Sequence, residues 1–136
     1  MTPPPSLRGL RILVVDGAST IRSVLGSLLR LEGADIVEVA TGREALAAVR
    51  RAHFHIALTD LGLRDIPGEA LIPRIRALTA GRTAVAVLAG ACEEETVVAL
   101  EVGAEAAFSK PVEWLALLSY LRRQVSRLGG QVSVAV

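Results

Sequence analysis

Ile56-Ala57-Leu58-Thr59-Asp60-Leu61-Gly62-Leu63-Arg64-Asp65-Ile66-Pro67-Gly68 is an apolar run that stops on a carboxylate and gives way to a loop with a proline and a glycine. A run this short, bounded by turn signals, fits a buried strand of a parallel sheet better than a helix. Asp60 therefore falls at the carboxyl end of a strand. In open α/β sheets ligands and chemistry collect outside those ends, where the strand order reverses. An Asp there can equally be a plain turn residue, so the rest of the chain has to decide.

Outward from this stretch the pattern repeats. Arg11-Ile12-Leu13-Val14-Val15-Asp16 is a second apolar run ending on an acid. Gly17-Ala18-Ser19-Thr20 follows, with Ser19 or Thr20 as the N-cap candidate, and Ile21, Val24, Leu25, Leu28 and Leu29 recur at helical spacing until Gly33. Asp35 to Val39 reads as a strand, and Thr41-Gly42-Arg43-Glu44 opens a second helix with Ala45, Leu46 and Val49 on its apolar face. His53 and His55 enter the central strand; with no third ligand near in sequence they read as strand-entry histidines. After Gly68 a third helix turns Ala70, Leu71, Ile75 and Leu78 inward, with Pro73 expected in or near its first turn, and Gly81 stops it. Thr83 to Leu88 is a fourth strand and Cys92-Glu93-Glu94-Glu95 begins a fourth helix, its acids favoured by the helix dipole. Ala106 to Ser109 is a fifth strand ending at Lys110-Pro111, and a last helix runs from Glu113 to about Leu128. Gly129-Gly130 is expected to break the chain before an apolar tail.

Five strands alternating with five helices predict a single α/β domain, a parallel sheet covered on both faces with right-handed crossovers. The expected division is a loose proline-rich lead over 1–9, the domain over 10–128 and a short tail over 129–136. With 51% hydrophobic but only 3% aromatic residues, the core is aliphatic. No apolar stretch approaches the roughly 20 residues of a membrane span, and the polar, proline-rich start does not read as a signal peptide. A lone cysteine, Cys92, rules out an internal disulfide and suits a reducing compartment, so a cytoplasmic location is expected. A net charge of +1, with arginines spread along the chain and no aromatic interleaving, gives no case for nucleic acid.

If the strands ending at Asp16 and Asp60 are neighbours, two carboxylates meet at one edge of the sheet. Like charges held close ask for a cation, and carboxylates with a loop carbonyl and water suit Mg²⁺, which often bridges to a phosphoryl group. Lys110, the only lysine among 15 basic residues, approaches from the last strand and offers phosphoryl oxygens a point charge.

These residues resemble the receiver domain of bacterial two-component response regulators, over about residues 9–128. Arg11 to Asp16 resembles the first strand with its acidic end, and Thr41-Gly42-Arg43-Glu44-Ala45-Leu46 the start of the second helix. Leu58-Thr59-Asp60-Leu61-Gly62-Leu63 with Gly68 is similar to the phosphoacceptor strand and loop. Gly103-Ala104 followed by Phe108-Ser109-Lys110-Pro111 is similar to the lysine turn. The resemblance implies a flavodoxin-like, CheY-like (βα)5 sheet in the order 2-1-3-4-5. It implies Asp60 as the aspartate phosphorylated by a histidine kinase or phosphotransfer protein. Asp16, Asp60 and the carbonyl of Gly62 become Mg²⁺ ligands, and Lys110 the phosphoryl contact.

Five positions depart from the family pattern. Gly17 replaces a second acid, which weakens metal binding. Ala89 replaces the Ser or Thr whose hydroxyl follows the phosphoryl group, a charge-assisted bond worth roughly 1.5–3 kcal/mol. Ala107 replaces the switch aromatic. In the loop, Arg64 stands where proline is common and Pro67 where an acid is common. Two readings follow: a receiver-type module of a phosphorelay with Asp60 as acceptor and reduced switching, or a phosphorylation-independent pseudo-receiver that binds a downstream protein. An enzyme is not expected. An aspartyl phosphatase would place a second acid at Gly62, and a phosphate-binding loop would carry more glycines than Gly17.

Overall fold

The computed structural model describes residues 6–90 and 93–135. Five strands, β1 (Arg11–Val15), β2 (Asp35–Val39), β3 (Ile56–Asp60), β4 (Ala84–Ala89) and β5 (Ala106–Ser109), pair in parallel in the order β2-β1-β3-β4-β5. Helices α1 (Ser19–Leu31), α2 (Gly42–Arg51), α3 (Gly68–Leu78), α4 (Glu93–Glu101) and α5 (Trp114–Ala135) connect and cover them. This is the doubly wound order that the family resemblance implies, on the parallel α/β sheet that the residue pattern predicts. Strand order reverses at β1, between β2 and β3, and this sets the carboxyl ends of β1 and β3 side by side.

Period-two alternation divides the strand side chains between two cores. Ile12, Val14, Ile56, Leu58 and Leu88 face Leu25 and Leu29 of α1 and Leu117, Leu118 and Leu121 of α5. Leu13, Val15, Ala57, Val85 and Val87 face Ala45, Leu46 and Val49 of α2, Leu71, Ile72 and Ile75 of α3, and Ala99 of α4. Because both faces are covered, β1, β3 and β4 read as nearly continuous apolar runs, whereas β2 at the edge carries Asp35 and Glu38. No helix among the described residues is long and apolar enough to cross a membrane.

Several expectations need correction. Residues 6–9 are not a loose lead. They form a turn in which Leu7 is fully buried, its N–H donates to the Glu32 carbonyl at 2.8 Å, and Ser6 Oγ donates to Glu32 Oε2 at 2.7 Å. The chain does not break at Gly129-Gly130 either, since α5 continues to Ala135. A helical glycine costs only about 1 kcal/mol relative to alanine and keeps its N–H and carbonyl, whereas a proline would stop the helix. Pro73 lies in the interior of α3, past the first turn. Its missing N–H frees the carbonyl of Glu69, and both residues are on the exposed face of the helix.

The cap of α1 is Ala18, with no side-chain cap bond, rather than Ser19 or Thr20. Along α1 only Leu25, Gly26 and Leu29 are buried; Ile21, Val24 and Leu28 are exposed, together with Leu31. In α3, Ile72 takes the inward place expected of Leu78, which is exposed. Cys92, residues 1–5 and Val136 lie outside the described residues.

Candidate functional site

β1 delivers Asp16 just beyond its last residue, and a 3.2 Å bond from its N–H to the Val39 carbonyl holds its backbone in place. The side chain is 1% exposed. Its Oδ1 accepts the Ala18 N–H at 2.9 Å, and this bond stiffens the turn after β1. Its Oδ2 is buried and has no hydrogen-bond partner. Arg22 Nη1 donates to the Asp16 carbonyl at 2.7 Å, bringing a positive charge to the same turn from the first turn of α1.

Asp60 is the last residue of β3. Lys110 leaves the end of β5, where its N–H donates to the Ala89 carbonyl at 2.8 Å and its bond to Pro111 is cis. Its Nζ donates to Asp60 Oδ1 at 2.8 Å and stands 3.8 Å from Asp16 Oδ2. Three strand ends thus bring two carboxylates and one ammonium into a single cluster, with an excess negative charge and one buried oxygen unanswered. A buried polar atom without a partner costs about 1–3 kcal/mol, and more when charged. Asp16 Oδ2, which has the Lys110 ammonium opposite it at 3.8 Å but no hydrogen bond, is the atom of the cluster that a further cation would satisfy.

The small residues around it leave room. A Cβ at Gly62 would stand in ordinary contact with Asp60 Oδ2, at 3.5 Å, so glycine leaves that side of the carboxylate more open. A Cβ at Gly17 would meet only the Ala40 carbonyl, at 3.7 Å, so the position supplies no carboxylate but does not obstruct a Cβ. Leu88 is paired opposite Asp60, and Ala89 beyond it is fully buried, so the end of β4 offers the cluster no hydroxyl. Ala107 is paired with Val87; the aromatic that follows it, Phe108, packs edge-on against Tyr120 with ring centroids 5.7 Å apart. Burial and then the Glu105 charge push the Tyr120 phenol well above its usual range.

His53 and His55 sit at the opposite end of β3 and do not join the cluster. His55 Nδ1 accepts the Arg11 N–H at 2.9 Å and the two rings pack edge-on at 5.0 Å. Burial, followed by the neighbouring His53 and Arg11, lowers the His55 pKa and keeps its lone pair available for that bond. Among the described residues no three His, Cys, Asp or Glu gather into a metal-binding group.

Reading the sequence alone misses Asp65. From the β3–α3 loop its Oδ1 accepts the N–H of Gly42 and its Oδ2 that of Arg43, both at 2.9 Å, capping α2 from another part of the chain. These two bonds hold its carboxyl below the usual carboxylate range. The only signal in the sequence is an acid in a loop, and that does not say which helix it caps.

The family model for the response regulator receiver domain matches residues 12–122. The chain is 32% identical over 120 residues to the "Uncharacterized 14.6 kDa protein in sodA1 3′region" of Leptolyngbya boryana, covering 87% of this chain and 92% of that one. It is 34% identical over 119 residues to the sensory transduction protein RegX3 of Mycobacterium tuberculosis, covering 88% of this chain but only 52% of that protein, so it spans about half the length of that relative. Among solved structures, the receiver domain of the Francisella response regulator 1452 superposes with a TM-score of 0.80 at 20% identity, over 88% of this chain and 99% of that one.

Proposed function

The chain belongs to the response regulator receiver domain family, and from that premise we propose that Asp60 is its phosphoacceptor in a two-component phosphorelay, with weakened metal binding and little conformational switching. One observation carries the reading. Lys110 Nζ bonds Asp60 Oδ1 at 2.8 Å, while the buried Asp16 Oδ2 beside it has no hydrogen-bond partner.

In the reaction this supports, an Asp60 carboxylate oxygen forms the new bond to phosphorus as the bond from phosphorus to the donor's leaving atom breaks, and the leaving group takes its proton from solvent. Phosphoryl transfer asks the protein for position and charge more than for covalent chemistry. β3 fixes the acceptor, Gly62 leaves its face open, and Lys110 shifts from balancing two carboxylates to balancing the phosphoryl oxygens. The donor set of Asp16, Asp60 and the Gly62 carbonyl fits Mg²⁺, which when bound neutralises phosphoryl charge. With glycine at position 17 the site has one carboxylate fewer, and affinity is expected to be low. Arg22, anchored on the Asp16 carbonyl, adds a second positive charge near the entrance.

The phosphodonor, a histidine kinase or a phosphotransfer protein, is expected to dock on α1. Ile21, Val24, Leu28 and Leu31 are exposed at 3-4-3 spacing, the seam a helix presents to another helix. The test is intact mass and phosphate-affinity electrophoresis after incubation with acetyl phosphate and Mg²⁺. A single adduct absent in Asp60→Asn and in EDTA is expected; no adduct in the wild type overturns the reading.

A second reading, a binding module independent of phosphorylation, is favoured by Ala89 and Ala107, which remove the hydroxyl and the aromatic through which a phosphoryl group is relayed to a partner surface. Mg²⁺-dependent binding of BeF₃⁻ separates the two, because a module of this kind has no need to bind it.

A further inference from the structure

The loop after Asp60 is built into the start of α2. Asp65 uses both carboxylate oxygens on the Gly42 and Arg43 N–H groups, and Thr41 Oγ1 accepts the Glu44 N–H at 3.1 Å, so the first three N–H groups of the helix are answered. A Cβ at Gly42 would stand 3.0 Å from Ile66 Cβ, an approach that only glycine allows without a shift. Leu63 and Ile66 are buried in the same core as Ala45, Leu46 and Val49 of α2. At the other end of the loop, Leu61 occupies the space a Cβ on Gly68 would need.

We infer that Asp65 is a positioning residue that fastens the loop carrying Gly62 to the amino end of α2, so that filling the carboxylate site is transmitted to α2. The inference rests on the reading of Asp16, Asp60 and Gly62 as the metal and phosphoryl site. Toward β4 and β5, Leu88, Ala89 and Ala107 have no side-chain group that can follow a phosphoryl group, and the cluster meets those strands through Lys110, whose N–H is held on the Ala89 carbonyl. The path through the loop is continuous from Asp60 to the α2 backbone by bond and contact. A loop fixed at 65–66 can move at Gly62 only by straining or carrying the start of α2.

The test uses the full chain, Mn²⁺ as metal probe by electron paramagnetic resonance, BeF₃⁻ with Mg²⁺ as phosphoryl probe, and amide nitrogen–proton spectra. Asp65→Asn weakens the tie from the loop side. Arg43→Pro removes one N–H from the helix side, at a position in the first turn where proline is tolerated. Arg43→Ala keeps that N–H and is the control. Expected are a roughly tenfold loss of Mn²⁺ affinity in Asp65→Asn and in Arg43→Pro, wild-type affinity in Arg43→Ala, and a BeF₃⁻ response at the Gly42 amide that disappears in Asp65→Asn while Ala18 and Lys110 still respond. Equal Mn²⁺ affinity in Arg43→Pro and Arg43→Ala, or a wild-type Gly42 amide unmoved while Ala18 and Lys110 move, overturns the inference. If the wild type binds neither probe, the site reading fails on its own. The tie is then decided by the unliganded spectra: displacement of the Gly62 amide in Arg43→Pro relative to Arg43→Ala supports it, and an unmoved Gly62 overturns it.

Discussion

On the proposed reading of the carboxylate cluster as a cation site, Asp16 and Gly17 together set how strongly it holds the ion. Asp16 Oδ2 is buried without a hydrogen-bond partner, and the neighbouring position contributes no charge although nothing obstructs a Cβ there. Gly17→Asp is therefore expected to raise Mn²⁺ affinity on the order of tenfold, as ligand charge count does in oxygen-donor sites. Without metal, a third acid beside Asp16 and Asp60 adds repulsion, so the variant should melt below the wild type in EDTA and regain stability when Mn²⁺ is added. Calorimetric titration with parallel melts checks both; unchanged affinity would show that Gly17 is not where the missing ligand belongs. At this scale the sequence was informative where chemistry is local. Apolar runs ending on Asp16 and Asp60, and a single lysine at a strand end, pointed to one cluster, and the structure brings Asp60 and Lys110 within 2.8 Å. The orphaned oxygen could not be read, because burial of one atom depends on every element around it.

Helix capping explains what was legible among the elements and what was not. Strand positions followed from runs of apolar residues, which report burial on both faces directly. Helix details depend on partners distant in sequence. Asp65 caps α2 across 23 residues at Gly42 and 22 at Arg43. The apolar residues of α1 outnumber those the core accepts, so helical spacing alone could not separate Leu25 and Leu29 from Ile21, Val24 and Leu28.

Two element-scale predictions follow from these caps and faces. Because its two backbone bonds lower the Asp65 pKa, the group's contribution to stability is full above the unfolded value of about 3.9 and is lost as pH falls through the lower folded value. Melts across pH should show Asp65→Asn less stable than wild type near neutrality, with the gap closing below about pH 4. A gap that persists in acid would mean the carboxylate charge is not what the cap uses. On α1, Val24→Glu should leave stability within about 0.5 kcal/mol, as exposed substitutions do. It should leave acetyl phosphate labelling intact and sharply reduce phosphoryl transfer from a phosphohistidine donor. Equal loss with both donors would place Val24 in the fold rather than in docking.

Across the whole molecule, the question is which surfaces can respond to the site. A response needs an element with two packings a few kcal/mol apart, biased by what the site holds. Toward α4, β5 and α5 no such element is visible among the described residues. Ala107 has no rotamer to exchange, and its neighbour Phe108 is packed on the buried ring of Tyr120. The apolar residues exposed on these two helices, Val97, Val98 and Leu100 on α4 and Leu115 on α5, are then expected in one arrangement whether or not Asp60 is modified. Binding of BeF₃⁻ with Mg²⁺ should move amides at Ala18, Gly62, Lys110 and the amino end of α2, and leave those of Val97, Leu100, Phe108 and Leu115 in place. Hydrogen exchange over α4 is expected to change little, because its one fully buried residue among those described, Ala99, meets the loop after Asp60 only through the core it shares with Leu63 and Ile66. Shifts at Phe108 and Leu115 as large as those at Gly62 would mean that Ala107 does not isolate this face, and that a second route through β5 exists which the packing of Phe108 on Tyr120 does not block.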